Sequence, residues 1–173
     1  MIIRKMKPED WDRVFMIYKQ GIDSGKATFT TEYPTWDEWD SGHNKPCRYV
    51  AVCDTEIVGI VAVSPTSGRS PYRGVVEVTI YVDENHWNKG IGTLLLKKLI
   101  QDAPDNGFWC LYSSILSSNE NSINLHKKCG FRTIGYREKI AKDKFGNWLD
   151  TTVMEYRFPN EMVKGIETNS NFK

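Results

Sequence analysis

Apolar positions follow two alternating periods along the chain, and each switch of period marks an element. "MIIRKM" reads as a short strand, Pro8 suits a first helical turn, and "EDWDRVFMIYKQGI" sets Trp11, Val14, Phe15, Ile17 and Tyr18 at helical spacing. After the irregular "GKATFTTEYP", Thr35 and Glu38 in "TWDE" form a capping-box pattern that predicts a second, short helix. "CRYVAVCDTEIVGIVAVSP" holds two β-rich runs around "DTE" and predicts a hairpin, whereas Gly, Ser and Pro make "TSGRSPYRG" a loop. "VVEVTIYVD" alternates as a strand, and "TLLLKKLIQDA" returns to helical spacing before stopping at Pro104. "FWCLYSSIL" reads as a buried strand. "SNENSINLHKKCGF" reads as a helix with Ser118 or Asn119 as N-cap and Gly130 as C-cap. Two last strands, "FRTIGYREKIA" and "NWLDTTVMEYRF", bracket the turn-like "KDKFGN". The pattern predicts one domain over residues 1–158 and a polar, partly disordered tail over 159–173.

Length agrees with that division: 173 residues suit a single α/β domain that needs no metal or disulfide staple. The 23 Lys and Arg against 22 Asp and Glu leave a formal charge of +1, and neither sign gathers into a block, so nucleic acid is not an expected partner. "MIIRKMKPEDW" is charged where a signal peptide is apolar, and runs such as "IVGIVAV" are far too short to span a bilayer. A soluble, cytoplasmic protein with no membrane partner is expected. Cys47, Cys53, Cys110 and Cys129 lack metal-ligand spacing and read as reduced thiols, and no metal is expected.

The stretch "VTIYVDENHWNKGIGTLLLKKLI" joins a strand to a helix through a glycine turn, an arrangement that offers main-chain N–H groups and a helix dipole to an anion. A P-loop reading fails because Lys89 precedes the glycines and no Lys-Ser/Thr pair follows them. A dinucleotide fingerprint fails because Leu95 stands at the third glycine and "LYSSI" at the acidic ribose position. A pyrophosphate turn of the acetyl-CoA type needs only closely spaced glycines; glycines that merely make a tight turn are the simpler alternative.

Here the sequence resembles the acetyl-CoA motif of the GNAT acetyltransferases, Gln/Arg-x-x-Gly-x-Gly/Ala, with Trp87 at its first position and Asn88 after it. "ATFTTEYPTWDEW", "SPTSGRSPYRGVVEVTIYV", "NENSINLHKKCGFRTIGYRE" and "FGNWLDTTVMEY" resemble, in order, the phosphinothricin and methionine-sulfoximine N-acetyltransferase branch over about residues 1–157. The resemblance implies a mixed, largely antiparallel sheet flanked by helices, acetyl-CoA as cosubstrate, a small amino-acid-like amine as acceptor, direct transfer and a homodimer. Acetylation of a polyamine or peptide N-terminus, and a non-catalytic acyl-CoA-binding module, remain alternatives.

Acetyl transfer to an amine requires a base, a stabilised oxyanion and a proton or solvent for the departing thiolate. Glu77 is the candidate base: it shares the alternation of Val75, Thr79 and Tyr81, and burial raises a carboxyl pKa. Its simpler role is a solvent-facing strand glutamate. The resemblance implies that the main chain of Ile80, Tyr81 and Val82 pairs with the pantetheine arm, that Asn88, Lys89, Gly90, Ile91, Gly92 and Thr93 cradle the pyrophosphate, and that Asn119, with Ser122 one turn on, contacts the arm. Helix capping explains Asn119 equally well. His126 falls where many members have the tyrosine that protonates the thiolate, although a lone histidine on an amphipathic helix is commonly structural. For the amine substrate, Arg69 and Arg73 are candidate carboxylate clamps and Tyr72 and Phe29 candidate pocket walls, the arginines otherwise being solvated loop residues. Trp148 and Asp150 of "GNWLD" read first as packing or dimer residues.

Overall fold

The computed structural model describes residues 1–165. Its strands are β1 Ile2–Lys5, β2 Tyr49–Cys53, β3 Glu56–Pro65, β4 Val75–Val82, β5 Cys110–Leu116, β6 Arg132–Lys142 and β7 Trp148–Arg157; its helices are α1 Trp11–Asp23, α2 Trp36–Gly42, α3 Ile91–Asp102 and α4 Glu120–Lys128. The strands form one sheet in the order β1-β2-β3-β4-β5-β7-β6. Only β4 and β5 run parallel, joined through α3, and every other neighbouring pair is antiparallel. This is the mixed, mostly antiparallel sheet that the sequence led us to expect.

Local sequence explains the ends of the helices. At α2 the Thr35 hydroxyl accepts from the Glu38 N–H at 3.3 Å while the Glu38 carboxylate accepts from the Thr35 N–H at 2.8 Å, the reciprocal capping box. At α4 the Asn119 side chain accepts from the Ser122 N–H at 3.1 Å, and Gly130 follows the last turn at φ +93°.

The unbroken apolar run of β3 follows from burial on both faces. Val58, Val61 and Val63 pack with Leu95, Leu96 and Leu99 of α3, while Ile57, Ile60 and Ala62 pack with Val14 and Ile17 of α1 and Trp39 of α2. Gly59 lets α3 come close, since a Cβ there would lie 3.0 Å from Leu95 and 3.2 Å from Ile91. Two apolar layers therefore grip the middle of the sheet.

The expected tail holds on longer than its polarity implies. Asn160–Met162 makes a helical turn, Val163 is buried in the α3-side core, and the Lys164 N–H donates to Pro104 O at 3.0 Å. The rest of the expected tail, 166–173, lies outside the described residues. No helix among the described residues is long and apolar enough to cross a membrane.

Candidate active site

β4 pairs with β5 only over Val75, Val76 and Glu77, against Cys110, Leu111 and Tyr112; beyond that point the two parallel strands separate. The Asp83 N–H donates to Val58 O at 3.0 Å, so alternation turns the main-chain groups of Tyr81 and Thr79 toward β3 and those of Val78, Ile80 and Val82 into the gap. Of the three residues expected to pair with a pantetheine arm, Ile80 and Val82 thus present main-chain groups to the gap. Tyr81 does not: its ring packs edge-on to Tyr18 at 4.8 Å and covers Gly21. The Trp87 indole N–H donates to Val82 O at 2.8 Å, occupying one of the acceptors on this edge.

A cavity of about 1320 Å³ fills the gap, lined by β4 from Glu77 to Val82, β5 from Tyr112 to Leu116, and the start of α3. At its mouth Asn88 and Gly90 take left-handed conformations (φ +60° and +77°), which reverse the chain into α3. The first bond of the helix runs from Leu94 N–H to Gly90 O, so the N–H groups of Ile91, Gly92 and Thr93 have no helical partner, and all three residues line the cavity. Asn88 and Gly90 line it too; Lys89 does not, its ammonium turning back to Asn85 O at 3.1 Å.

These features fit acetyl-CoA. An unpaired strand edge suits an extended amide-bearing arm, and unclaimed N–H groups at a helix N-terminus suit a pyrophosphate. Two buried polar atoms in the lining, Ser113 Oγ and His126 Nε2, also have no partner within the protein. Among the described residues no cluster of His, Cys, Asp and Glu could hold a metal ion.

Glu77 lies where the strands begin to part and lines the cavity. Burial pushes its carboxyl above the usual range, while the Ser114 N–H and the Arg137 guanidinium pull it partly back. On the same face Thr79 Oγ1 lies 3.4 Å from His43 Nε2. His43 stacks on Trp39 at 4.3 Å, its Nδ1 lies 2.7 Å from Trp39 O, and burial pushes its pKa below the ordinary value. Sequence reasoning missed His43, which leaves the end of α2 and reaches β4 only because Trp39 anchors that helix in the core.

Asn119 and Ser122 line the opposite wall, with the Asn119 carboxamide oxygen committed to its cap. His126 also lines it and is 2% exposed, its ring edge-on to Phe131 at 4.8 Å. Its Nδ1 lies 2.8 Å from Ser122 O, an acceptor, so Nδ1 carries the proton and Nε2 the lone pair. Burial pushes its pKa below the ordinary value. The resemblance implied a proton donor at this position; burial favours the neutral form of the ring, in which Nε2 is an acceptor.

The expected amine-side residues divide. Phe29 lines the cavity, but Arg69, Tyr72 and Arg73 do not. Arg69 sits over the Tyr72 ring and Arg73 over the Trp109 ring, each at 5.6 Å, along the outer start of β4. In their place β6 sends Arg137, Ile140 and Ala141 into the lining. Its register with β7 slips between Arg137 and Ala141, and Lys139 takes φ +50°. Asp150 pins this bulge, accepting from the Lys139 N–H at 2.7 Å and from the Tyr136 hydroxyl. The expected packing role of Asp150 is thus a local one, which shapes the wall.

Comparison with known proteins bears on the same cleft. The profile of the acetyltransferase (GNAT) family matches residues 10–131. An L-methionine sulfoximine/L-methionine sulfone acetyltransferase of Pseudomonas aeruginosa is 35% identical over 160 residues, covering 88% of this chain and 92% of that protein. The crystal structure of a ribosomal-protein-alanine N-acetyltransferase from Brucella melitensis superposes with a TM-score of 0.84 at 26% identity, over 91% of this chain and 100% of that one. A GNAT phosphinothricin acetyltransferase from Sinorhizobium meliloti, solved in complex with acetyl-CoA, superposes with a TM-score of 0.81 at 26% identity, over 91% and 88%. With a matching profile over most of the domain and a relative aligned along nearly its whole length, the chain belongs to the GNAT acetyltransferase family.

Proposed function

We propose that this protein transfers the acetyl group of acetyl-CoA directly to the primary amine of a small amino-acid-like compound of the methionine sulfone, methionine sulfoximine or phosphinothricin type. The observation that carries this reading is a carboxyl with a raised pKa, Glu77, set where an unpaired strand edge meets the cavity. The relatives that act on methionine sulfoximine, methionine sulfone and phosphinothricin support the substrate class.

In this mechanism the N–H groups of Ile91, Gly92 and Thr93 hold the pyrophosphate, with Asn88 and Gly90 shaping the turn and Lys89 contributing its main chain. Ile80 and Val82 hold the arm from one side and Asn119 and Ser122 flank it from the other. Glu77 accepts the ammonium proton, directly or through water, because a carboxyl whose pKa is raised by burial is a stronger base than a solvated one. A gap-facing N–H of β4 polarises the thioester carbonyl. His126, neutral and accepting, leaves the proton for the thiolate to come from water. No cysteine among the described residues lines the cavity, in keeping with direct transfer rather than an acyl-enzyme.

Incubation with acetyl-CoA and methionine sulfone, methionine sulfoximine, phosphinothricin, polyamines or peptides, following thiol release, tests the proposal. Turnover concentrated on the amino-acid-like compounds supports it; turnover of peptides alone favours the protein N-terminus, the reading to which the Brucella relative points. Binding of acetyl-CoA without release on any amine overturns catalysis.

We further read the protein as a cytoplasmic homodimer. Four free thiols suit a reducing compartment. β6 is an edge strand, and Ile134, Tyr136, Phe145 and Trp148 stand exposed on its hairpin with β7, which supports pairing of two copies there.

A further inference from the structure

Arg137 stands out among the cations of the cavity. Lys26 and Lys128 also line it, but Arg137 is the one whose field reaches the Glu77 carboxyl. Even so, it forms no ion pair with Glu77 or with any other acid among the described residues. A guanidinium that acts on a carboxylate across a gap leaves space between the two. An α-amino acid fits such a space, because its ammonium and carboxylate branch from one carbon and need an anion and a cation close together but not touching. Arg137 is the last residue of β6 in regular register with β7, opposite Thr151, before the slip, and Asp150 holds its neighbours Tyr136 and Lys139 on either side.

Resting on the amino-acid reading above, we infer that Arg137 is the specificity-determining residue that binds the substrate's α-carboxylate, opposite Glu77 at the amine. The arginines of the "GRSPYRG" loop, stacked on Tyr72 and Trp109 outside the cavity, do not serve this purpose. The guanidinium offers a planar fork for two parallel bonds to a carboxylate, which a lysine cannot reproduce. Asp150 is a positioning residue, acting through its bonds to Tyr136 and Lys139, which flank Arg137.

The test compares methionine sulfone with its carboxamide and with 3-(methylsulfonyl)propylamine, which lacks the carboxyl carbon, in the wild-type protein and in Arg137→Gln, Arg137→Lys, Arg69→Gln and Arg73→Gln. The wild type should prefer the carboxylate by about 10- to 100-fold in kcat/KM, the range of a charge-assisted contact. Arg137→Gln should collapse that ratio to within about threefold by raising KM for methionine sulfone, with Arg137→Lys intermediate. Arg69→Gln and Arg73→Gln should keep the wild-type ratio. Arg137 is exposed, so its variants should unfold at the wild-type temperature. Wild-type selectivity retained in Arg137→Gln, or lost in Arg69→Gln or Arg73→Gln, overturns the assignment while leaving the amino-acid reading intact. Failure of the wild type to acetylate any of the three amines overturns both. Asp150→Ala, which frees Tyr136 and Lys139, should raise KM for methionine sulfone and leave KM for 3-(methylsulfonyl)propylamine unchanged; wild-type selectivity in this variant would overturn Asp150 as a positioning residue.

Discussion

The two glycines of "GIG" do different physical work, and alanine separates them. Gly90 sits at φ +77° with open space where a Cβ would project. Alanine there meets no neighbour but must hold the left-handed conformation, at about 1–2 kcal/mol. Gly92 has ordinary helical geometry in the first turn of α3, where alanine gains up to about 1 kcal/mol of propensity. Its Cβ, however, would lie 2.9 Å from Leu125 Cδ2 on α4, too close by a few tenths of an ångström. The atom met is the end of a side chain only partly buried, so the strain falls at the low end of overpacking, about 1 kcal/mol. Gly92→Ala should therefore be within about 1 kcal/mol of the wild type by urea unfolding, and Gly90→Ala should lose about 1–2 kcal/mol, roughly 2–8 °C in Tm. Calorimetric titration with acetyl-CoA should show weaker binding for both, since one variant redirects the N–H groups and the other shifts the facing wall. A Gly92→Ala that loses more than about 2 kcal/mol, beside a neutral Gly90→Ala, would refute this division.

Two further outcomes follow from the buried titratable groups. Glu77→Gln should lower turnover at neutral pH by about 10²- to 10⁴-fold with acetyl-CoA affinity nearly unchanged. Because the folded carboxyl is raised above 4.5, the folded state keeps a proton that the unfolded chain has lost, and stability falls as pH rises from 4.5 through the folded value. The variant should remove that slope and be at least as stable as the wild type at pH 7; a variant clearly less stable there contradicts the burial argument. His126→Gln should cost less than about tenfold in kcat if water supplies the thiolate's proton, and a loss above 100-fold would restore the imidazole as donor. With its pKa held below 6.5, His126 makes stability decline as pH falls below 6.5, so the same variant should flatten that acid limb in unfolding measurements.

How legible the site was depends on whether its parts are set by near or distant sequence. The capping box of α2, the Asn119 cap and the glycine turn depend on residues within four positions of each other, and each stands where the pattern placed it. The separation of β4 from β5 gives no local signal, because "VVEVTIYV" reads as one even strand and only the course of its parallel neighbour decides where pairing stops. Arg137 was hidden for a related reason: it lines the cavity because β6 pairs with β7, where Thr151 stands opposite it 14 residues later in the chain and on another strand. Arg69 and Arg73 drew attention because loop arginines near a strand start suit carboxylates, but Trp109 claims Arg73, and its ring also explains Gly74, whose Cβ would lie 2.1 Å from it.

Trp87 shows how the same limits bear on a single departure from a motif. At the first position of the turn a polar or basic side chain reaches toward an anion, and from sequence alone an aromatic there reads as a lost contact. In the fold the indole lines the cavity and its N–H turns to the strand. It bonds Val82 O, the last carbonyl of the unpaired β4 edge, and stays 57% exposed. The pyrophosphate turn needs no side chain at that position, since its donors are main-chain N–H groups that α3 leaves unclaimed. A tryptophan is therefore compatible with anion binding, and its N–H ties the start of the turn to the strand along which the cofactor arm is held. The departure costs the turn a charge but links its position to the open edge of the cleft.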